Sequence, residues 1–319
     1  MAGQRYHTLN FFYLNKFGYK IRKISLDGGF NCPNRDGKIA TSGCVFCDPK
    51  TFSPSRRLKI SSITAQLEEG IRRISTRHDV DHFLAYFQPG TNTYAPVERL
   101  KSIWGEALSH PKVVGLIIGT RPDCVPDEIL DLLAELSDRT YLVVEYGLQS
   151  IHDRSLDWIN RGHHFDAFVD AYDRSRARNL QMGVHVILGL PGENRDHMLA
   201  TARYLAEIEI HSIKFHNLYA VRNTPLANWV TDGEVQLPQF EEYVNWVVDF
   251  LELLPADCVI DRLSGDAPPQ YLVGPEWCLN KRTVRAAIEA ELNRRGTWQG
   301  CKAVARDEGR EVRGEGDRE

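Results

Sequence analysis

Short apolar runs alternate with longer amphipathic stretches along most of the chain. The runs fall at residues 21–26, 82–88, 113–120, 140–147, 183–190 and 212–219, and each has the length and composition of a strand. Helical spacing of apolar positions occupies 63–74, 97–109, 127–136, 165–178 and 196–208. Strand alternating with helix predicts a parallel sheet joined by right-handed crossovers. About six such units fall short of a closed eight-fold barrel. The expected fold is therefore α/β, a partial (β/α)6 TIM-like barrel. A helix at 240–253, a strand at 259–263 and a helix at 282–294 predict a small α/β C-terminal extension covering one barrel edge. The chain divides into a basic N-terminal segment (1–19), a core (20–235), the extension (236–306) and a charged tail (307–319) that is expected to be disordered.

Side-chain alternation along the strands says more. If Val144, Tyr146 and Leu148 meet the surrounding helices, Glu145 and Gln149 point into the barrel. The same rule turns His185 inward between Val184 and Val186, and Lys214 and His216 inward around Phe215. Three neighbouring strands thus aim polar groups at one lumen. A packed apolar barrel would not tolerate them without partners, whereas a lumen that binds polar ligands would.

Composition narrows the class. With 42% hydrophobic and 26% charged residues the chain is an ordinary globular protein. No apolar run approaches the ~18 residues of a membrane span, and Met1-Ala2-Gly3-Gln4-Arg5 starts no signal-like stretch. The expected location is cytoplasmic, with no membrane partner. The net charge of −4 conceals a basic first sixty residues, at +8, against −12 for the remainder. That segment either steers a polyanion such as RNA to the site or is a solvated basic face. Seven cysteines, four of them isolated (Cys124, Cys258, Cys278, Cys301), fit a reducing compartment better than a disulfide framework.

The other three lie together in Asn31-Cys32-Pro33-Asn34-Arg35-Asp36-Gly37 and Gly43-Cys44-Val45-Phe46-Cys47. Spacing alone leaves two readings. A structural zinc site needs a fourth ligand, such as His7. A [4Fe–4S] cluster needs no fourth residue if a small molecule takes the last iron.

This loop resembles the cluster loop of radical S-adenosylmethionine (SAM) enzymes. Eleven residues separate Cys32 and Cys44, not the three of the commonest pattern, which is similar to subfamilies related to the catalytic subunit of Elongator. Further segments resemble Elongator-type motifs in the same order: Gly119-Thr120-Arg121-Pro122-Asp123, Val144-Glu145-Tyr146-Gly147-Leu148-Gln149-Ser150, Asn160-Arg161-Gly162-His163, Gly189-Leu190-Pro191-Gly192-Glu193, and Ile213-Lys214-Phe215-His216 with Thr224-Pro225-Leu226. Together with Arg262-Leu263-Ser264-Gly265-Asp266, the whole pattern is similar to a stand-alone YhcC-like radical SAM family that lacks the Elongator acetyltransferase half.

The resemblance implies a partial barrel of the radical SAM type. It also implies a [4Fe–4S] cluster on Cys32, Cys44 and Cys47, SAM on the open iron, and a reducing protein such as flavodoxin or ferredoxin. Phe46 would pack near the adenine. Glu145 and Gln149 would contact SAM, Gln149 at the ribose. Gln88-Pro89-Gly90-Thr91 replaces the usual Gly-Gly-Glu, so Gln88 and Gly90 stand where the methionine amine is cradled. Arg121 and Arg161 hold the SAM carboxylate or a phosphate, or else fasten loops. His185 is a cofactor contact or a satisfied core histidine. Glu145, Lys214 and His216 are the candidate catalytic groups, with a structural Lys214–Glu145 ion pair as the alternative. The implied reaction is reductive cleavage of SAM and hydrogen abstraction, with the wobble-uridine side chain of tRNA as the suggested substrate. A small metabolite is the alternative substrate, and a non-catalytic zinc or iron–sulfur protein is the third reading. Cys124 is a substrate-side thiol or a structural cysteine.

Overall fold

The computed structural model describes residues 4–58 and 62–303; the charged tail at 307–319 and Lys59 of the basic segment lie outside the described residues. Six parallel strands follow the predicted runs: β1 (Ile21–Leu26), β2 (His82–Phe87), β3 (Val113–Thr120), β4 (Tyr141–Gln149), β5 (Gln181–Leu188) and β6 (Ser212–Asn217). Two residues, Ala220–Val221, form β7, and Val259–Arg262 and Leu272–Gly274 form β8 and β9. The main sheet runs β1-β2-β3-β4-β5-β6-β8, parallel throughout, and curls into a half-barrel. A small antiparallel ribbon pairs β7 with β9.

Helices Ile63–Ser75, Val97–Leu108, Asp127–Ser137, Phe165–Arg176, Arg195–Glu207 and Phe240–Leu253 follow the first six strands in turn. Their starts are marked in the sequence. Ser62 accepts from the Ala65 amide, and Asn194 forms a reciprocal capping box with His197. The expected extension covers the sheet edge by continuing it: Phe240–Leu253 is the sixth crossover and β8 the seventh strand, paired with β6. Helix Lys281–Arg294 then lays Val284, Ile288 and Leu292, spaced at four residues, into the common core.

Alternation holds along the sheet. Leu26, Phe87, Ile118, Val144, Tyr146, Val186 and Phe215 meet the helices in one core. The other face forms the lumen in layers. At its base Ile21, Leu84, Ile117 and Val143 make an apolar plug. A helix not expected from the sequence, Leu9–Phe17, seals that base with Tyr13, whose ring meets Tyr141 edge-on at 6.2 Å. The segment before it bridges to the last strand, with the Ile260 amide donating to the His7 carbonyl at 2.8 Å. The N-terminal segment thus occupies the gap between the two sheet edges. No helix among the described residues is long and apolar enough to cross a membrane.

Because β8 is a strand of the main sheet, truncating its buried Ile260 should weaken the whole fold. Ile260→Ala is expected to cost about 2–5 kcal/mol, read as a lower urea midpoint in a single transition. A separate early transition, with the rest unfolding as before, would show instead that the C-terminal part folds on its own.

Candidate active site

The C-terminal strand ends open into a cavity of about 530 Å³, inside the roughly 300–1,000 Å³ usual for small-molecule sites. Cys32, Cys44, Cys47 and Phe46 line it from the loop after β1, and Gln88 and Gly90 from the loop after β2. Arg121, Glu145, Gln149, Arg161, His185, Lys214 and His216 line the remainder. The fold therefore brings the three cysteines and the candidate cofactor and catalytic residues to one place, with Cys124 and His7 outside it.

The cysteine loop is held by its own turns and by a clamp from across the barrel. Amides of Arg35 and Asp36 return to the Cys32 carbonyl at 2.8 and 3.1 Å, and Arg35 Nη1 donates to the Cys47 carbonyl at 3.0 Å. The clamp is Asn160-Arg161-Gly162. Asn160 Nδ2 donates to the Gly43 carbonyl at 2.7 Å, while Asn34 Nδ2 donates to the Asn160 carbonyl at 2.6 Å. Gly162, at φ +71°, leaves room for Asn34, whose Oδ1 would lie 2.7 Å from a Cβ there. Arg161 Nη1 and Asn34 Nδ2 both donate to Cys44 Sγ at 3.6 Å, and Arg161 Nη2 donates to the Gly147 carbonyl at 2.8 Å. A cation and an amide are thus both aimed at one sulfur. Burial, then the neighbouring Cys44, push the Cys47 thiol up to about 12.

Below the cysteines lies a layer of charges. Glu145 Oε2 accepts from Lys214 Nζ at 2.6 Å and meets His185 Nε2 at 2.8 Å, and its Oε1 is 3.5 Å from Lys23 Nζ. Lys23 also pairs closely with Asp261, which stands 3.4 Å from Lys214. Lys214 donates to Tyr86 Oη at 3.0 Å and lies 4.3 Å from that ring's centroid. Burial tends to raise the Glu145 carboxyl, but Lys214, Lys23 and the His185 hydrogen bond outweigh it and hold it well below the usual range. Burial, then Lys214, lower His185; burial, then Arg262, His185 and Lys214, take His216 well below its ordinary value. Both imidazoles are neutral at pH 7, facing an ionised Glu145.

Other predicted residues are more committed to structure. The Arg121 guanidinium forks onto Asp123 at 2.8 and 2.9 Å and donates to the Arg161 carbonyl at 2.7 Å, so it fastens two loops. Gln88 Nε2 donates to Ser25 Oγ at 2.7 Å, and Gly90 turns at φ +86° over the Phe30 and Asn31 carbonyls. Gln149 sits at φ +75° beside a β4 bulge, which tips it toward the mouth. Cys124 lines a separate cavity with Pro33 and Tyr94. His7 lies at the far end of the strands on the Asp257 carbonyl, away from the cysteines. Of the basic first sixty residues, Lys23, Arg35 and Arg56 are engaged internally, Arg56 on Asp27.

Lys23, Tyr86 and Asp261 were not singled out from the sequence. The alternation that turned Glu145 inward also applies to Lys23, between Arg22 and Ile24, and to Tyr86, between Ala85 and Phe87. Asn34 and Asn160 carry no such signal, because their partners come from loops.

Comparison with known proteins follows the same lines. The family profile of the Radical SAM superfamily matches residues 32–205, and that of the Radical_SAM C-terminal domain matches 210–294. YtqA of Bacillus subtilis is 40% identical over 297 residues, 93% of this chain and 92% of that protein. YhcC of Escherichia coli is 37% identical over 282 residues, 88% of this chain and 90% of its own length. A protein of Dehalococcoides mccartyi named tRNA uridine(34) acetyltransferase is 28% identical over 180 residues, covering 55% of this chain and 38% of itself. In fold, the chain is similar to Elp3 of Methanocaldococcus infernus, with TM-score 0.65 at 16% identity over 88% of this chain and 64% of that one.

Two expectations follow from the geometry. Lys214→Met strips Glu145 of its nearest cation and should cost about 3–5 kcal/mol at pH 7. Glu145 has a depressed folded pKa, so its contribution is complete above the unfolded value of about 4.3 and is lost as acid carries the pH down through the folded value. Urea titrations across pH 2–7 should therefore show a smaller acid slope in Glu145→Gln; an unchanged slope refutes the linkage. Secondly, a Cβ at Gly147 would stand 2.7 Å from Arg161 Nη2. Gly147→Ala should release Arg161 from Cys44 and lower iron and sulfide retained after reconstitution. Gly105→Ala, with nothing within 4 Å, should retain the wild-type content.

Proposed function

The chain belongs to the radical SAM superfamily, and on that footing we propose that it is an enzyme whose Cys32, Cys44 and Cys47 hold a [4Fe–4S] cluster in the lumen mouth. Membership of the superfamily implies that cluster and SAM. The residues present fit the group. The donor set is sulfur only, two N–H groups already point at Cys44 Sγ, and buried Thr91 Oγ1 and Arg161 Nε on the cavity wall lack partners among the described residues. Among the described residues no three His, Cys, Asp or Glu side chains close on a single ion. A cluster spreads its thiolates over several irons, so this triad suits it better than zinc.

Held by Cys32, Cys44 and Cys47, a reduced cluster would supply the one-electron reductive cleavage of SAM, and through it the means to abstract a hydrogen atom from the substrate. The chain supplies the surroundings. Asn34 and Arg161 fix the position of Cys44, and Arg121 holds the Arg161 loop in place. Gln149 and Phe46 border the mouth, where the cofactor's ribose and adenine would lie. Glu145 is kept ionised by two lysines, and neutral His185 is kept oriented by Glu145, so the floor presents fixed dipoles that need little rearrangement. Lys214 is engaged by Glu145 and Tyr86, which favours a positioning role for it over proton transfer.

For the substrate, we favour a tRNA uridine side chain. Its support is the similarity to the protein named tRNA uridine(34) acetyltransferase. A flipped base would have to enter the mouth. The small-metabolite reading is favoured instead by the internal use of much of the basic segment.

The observation that carries the proposal is the convergence of three cysteines on a cavity floored by a satisfied polar layer. After anaerobic reconstitution, dithionite and SAM should yield 5′-deoxyadenosine, and Cys44→Ala should abolish it. One zinc per chain with no SAM cleavage would replace the proposal by a structural metal site. Addition of bulk tRNA should raise turnover if uridine is the target and leave it unchanged otherwise.

A further inference from the structure

The cavity floor is charge-balanced except at one point. Lys23 and Lys214 face Glu145 and Asp261. Asp266 also lines the cavity, but it is taken by Lys281 at 2.8 Å. The arginines on the other walls are spent: Arg57 on the Lys50 and Thr51 carbonyls, Arg121 on Asp123, Arg161 on Cys44 and Gly147. Arg262 differs. It lines the same cavity, half-buried, and its side chain makes no hydrogen bond and no ion pair with any described residue.

Its position is set by the sheet. Arg262 on β8 is registered against Lys214 on β6, in the layer of the charged floor and below the mouth. Close by, His216 Nε2 is buried without a hydrogen-bond partner among the described residues. The chain after Arg262 presses onto this corner: the Gly265 amide donates to Asn217 Oδ1 at 3.0 Å, and a Cβ at Gly265 would lie 2.9 Å from His216 Nδ1. Only glycine allows that approach, which shapes the wall around the two unpartnered groups. A guanidinium held in a cavity without a counter-ion is costly, and its planar fork matches a carboxylate or a phosphate. A neutral imidazole beside it can donate from Nε2 to the same anion.

We propose that Arg262, with His216 Nε2 beside it, is an anion subsite for the substrate, which therefore carries a carboxylate or phosphate group. The assignment rests on the radical SAM reading of the same cavity. The carboxylate of SAM has the same chemistry, so the test separates the two sources.

Protein reconstituted with iron and sulfide, then desalted, is titrated without reductant at constant ionic strength with acetate and with inorganic phosphate. Tm is followed for both, and the phosphorus NMR line width for phosphate. Saturable binding of at least one is expected, weakened about tenfold or more in Arg262→Gln and severalfold in Arg262→Lys, which keeps the charge but not the fork. The exposed Arg282→Met should bind as wild type does. Should Arg262→Gln not fold, as its Tm without anion would show, the Arg262→Lys comparison carries the test. Binding that persists under saturating SAM supports a substrate subsite; binding abolished by SAM gives Arg262 to the SAM carboxylate and overturns the assignment. No binding, or equal binding by wild type and both Arg262 variants, overturns the subsite. The same preparation, reduced and supplied with SAM, is assayed for 5′-deoxyadenosine. Product without Arg262-dependent anion binding removes the subsite alone, whereas no product removes the reading on which it rests.

Discussion

The structure depends on satisfying the charges that its own strand alternation drives into the barrel. Burying Glu145 alone would cost several kcal/mol. Lys214, Lys23 and His185 surround it, and Asp261 in turn balances the lysines. The four ionised groups come from β1, β4, β6 and β8, so balancing them ties together strands that the hydrogen-bond ladder leaves far apart. Lys23 and Asp261 matter most for closure, because β1 and β8 are the two free edges of the sheet. Their ion pair, with the N-terminal segment lying in the same gap, lets an incomplete barrel behave as a closed one without an eighth unit.

That closure creates the layering on which the site rests. Helix Leu9–Phe17 and the apolar base keep water out from below, and the charged layer forms a rigid polar floor above them. The cavity lies above that floor, where the long loop after β1 arrives. This loop contains no long regular element, so its backbone groups need partners from elsewhere. Asn160 and Arg161 supply several, and they come from the segment after β4. One guanidinium therefore links a cysteine sulfur to the strand that carries Glu145. Cluster loop and polar floor are parts of one hydrogen-bonded assembly.

Periodicity exposed much of this in advance. The six strands and their crossovers, the inward set Glu145, Gln149, His185, Lys214 and His216, and the cysteine loop all follow from spacings of two, of three to four, and of Cys-x-x-Cys. Where the same rule was not carried to β1 and β2, Lys23 and Tyr86 went unnoticed although their signal was present. Helix Leu9–Phe17 was passed over for another reason: it is short, and its aromatic residues are distributed around it, so its position is decided by Tyr141 and His211 and not by an amphipathic stripe. The engagement of Arg121 was equally illegible. An arginine beside a motif reads alike whether it meets a ligand or, as here, Asp123.

What the sequence by itself determined are the properties local in the chain: which runs are strands, which side chains share a face, and which three cysteines form a set. Those depend on the fixed two-residue and 3.6-residue repeats of the backbone. Tertiary structure alone decided which charges neutralise one another, which arginines are spent, and that Arg262 is left without a partner among the described residues. Some of these pairings join residues more than a hundred positions apart, as Lys23 does with Glu145 and Asp261, and no short-range repeat encodes them. They exist only once curling of the sheet brings its first and last strands to the same few ångströms of lumen.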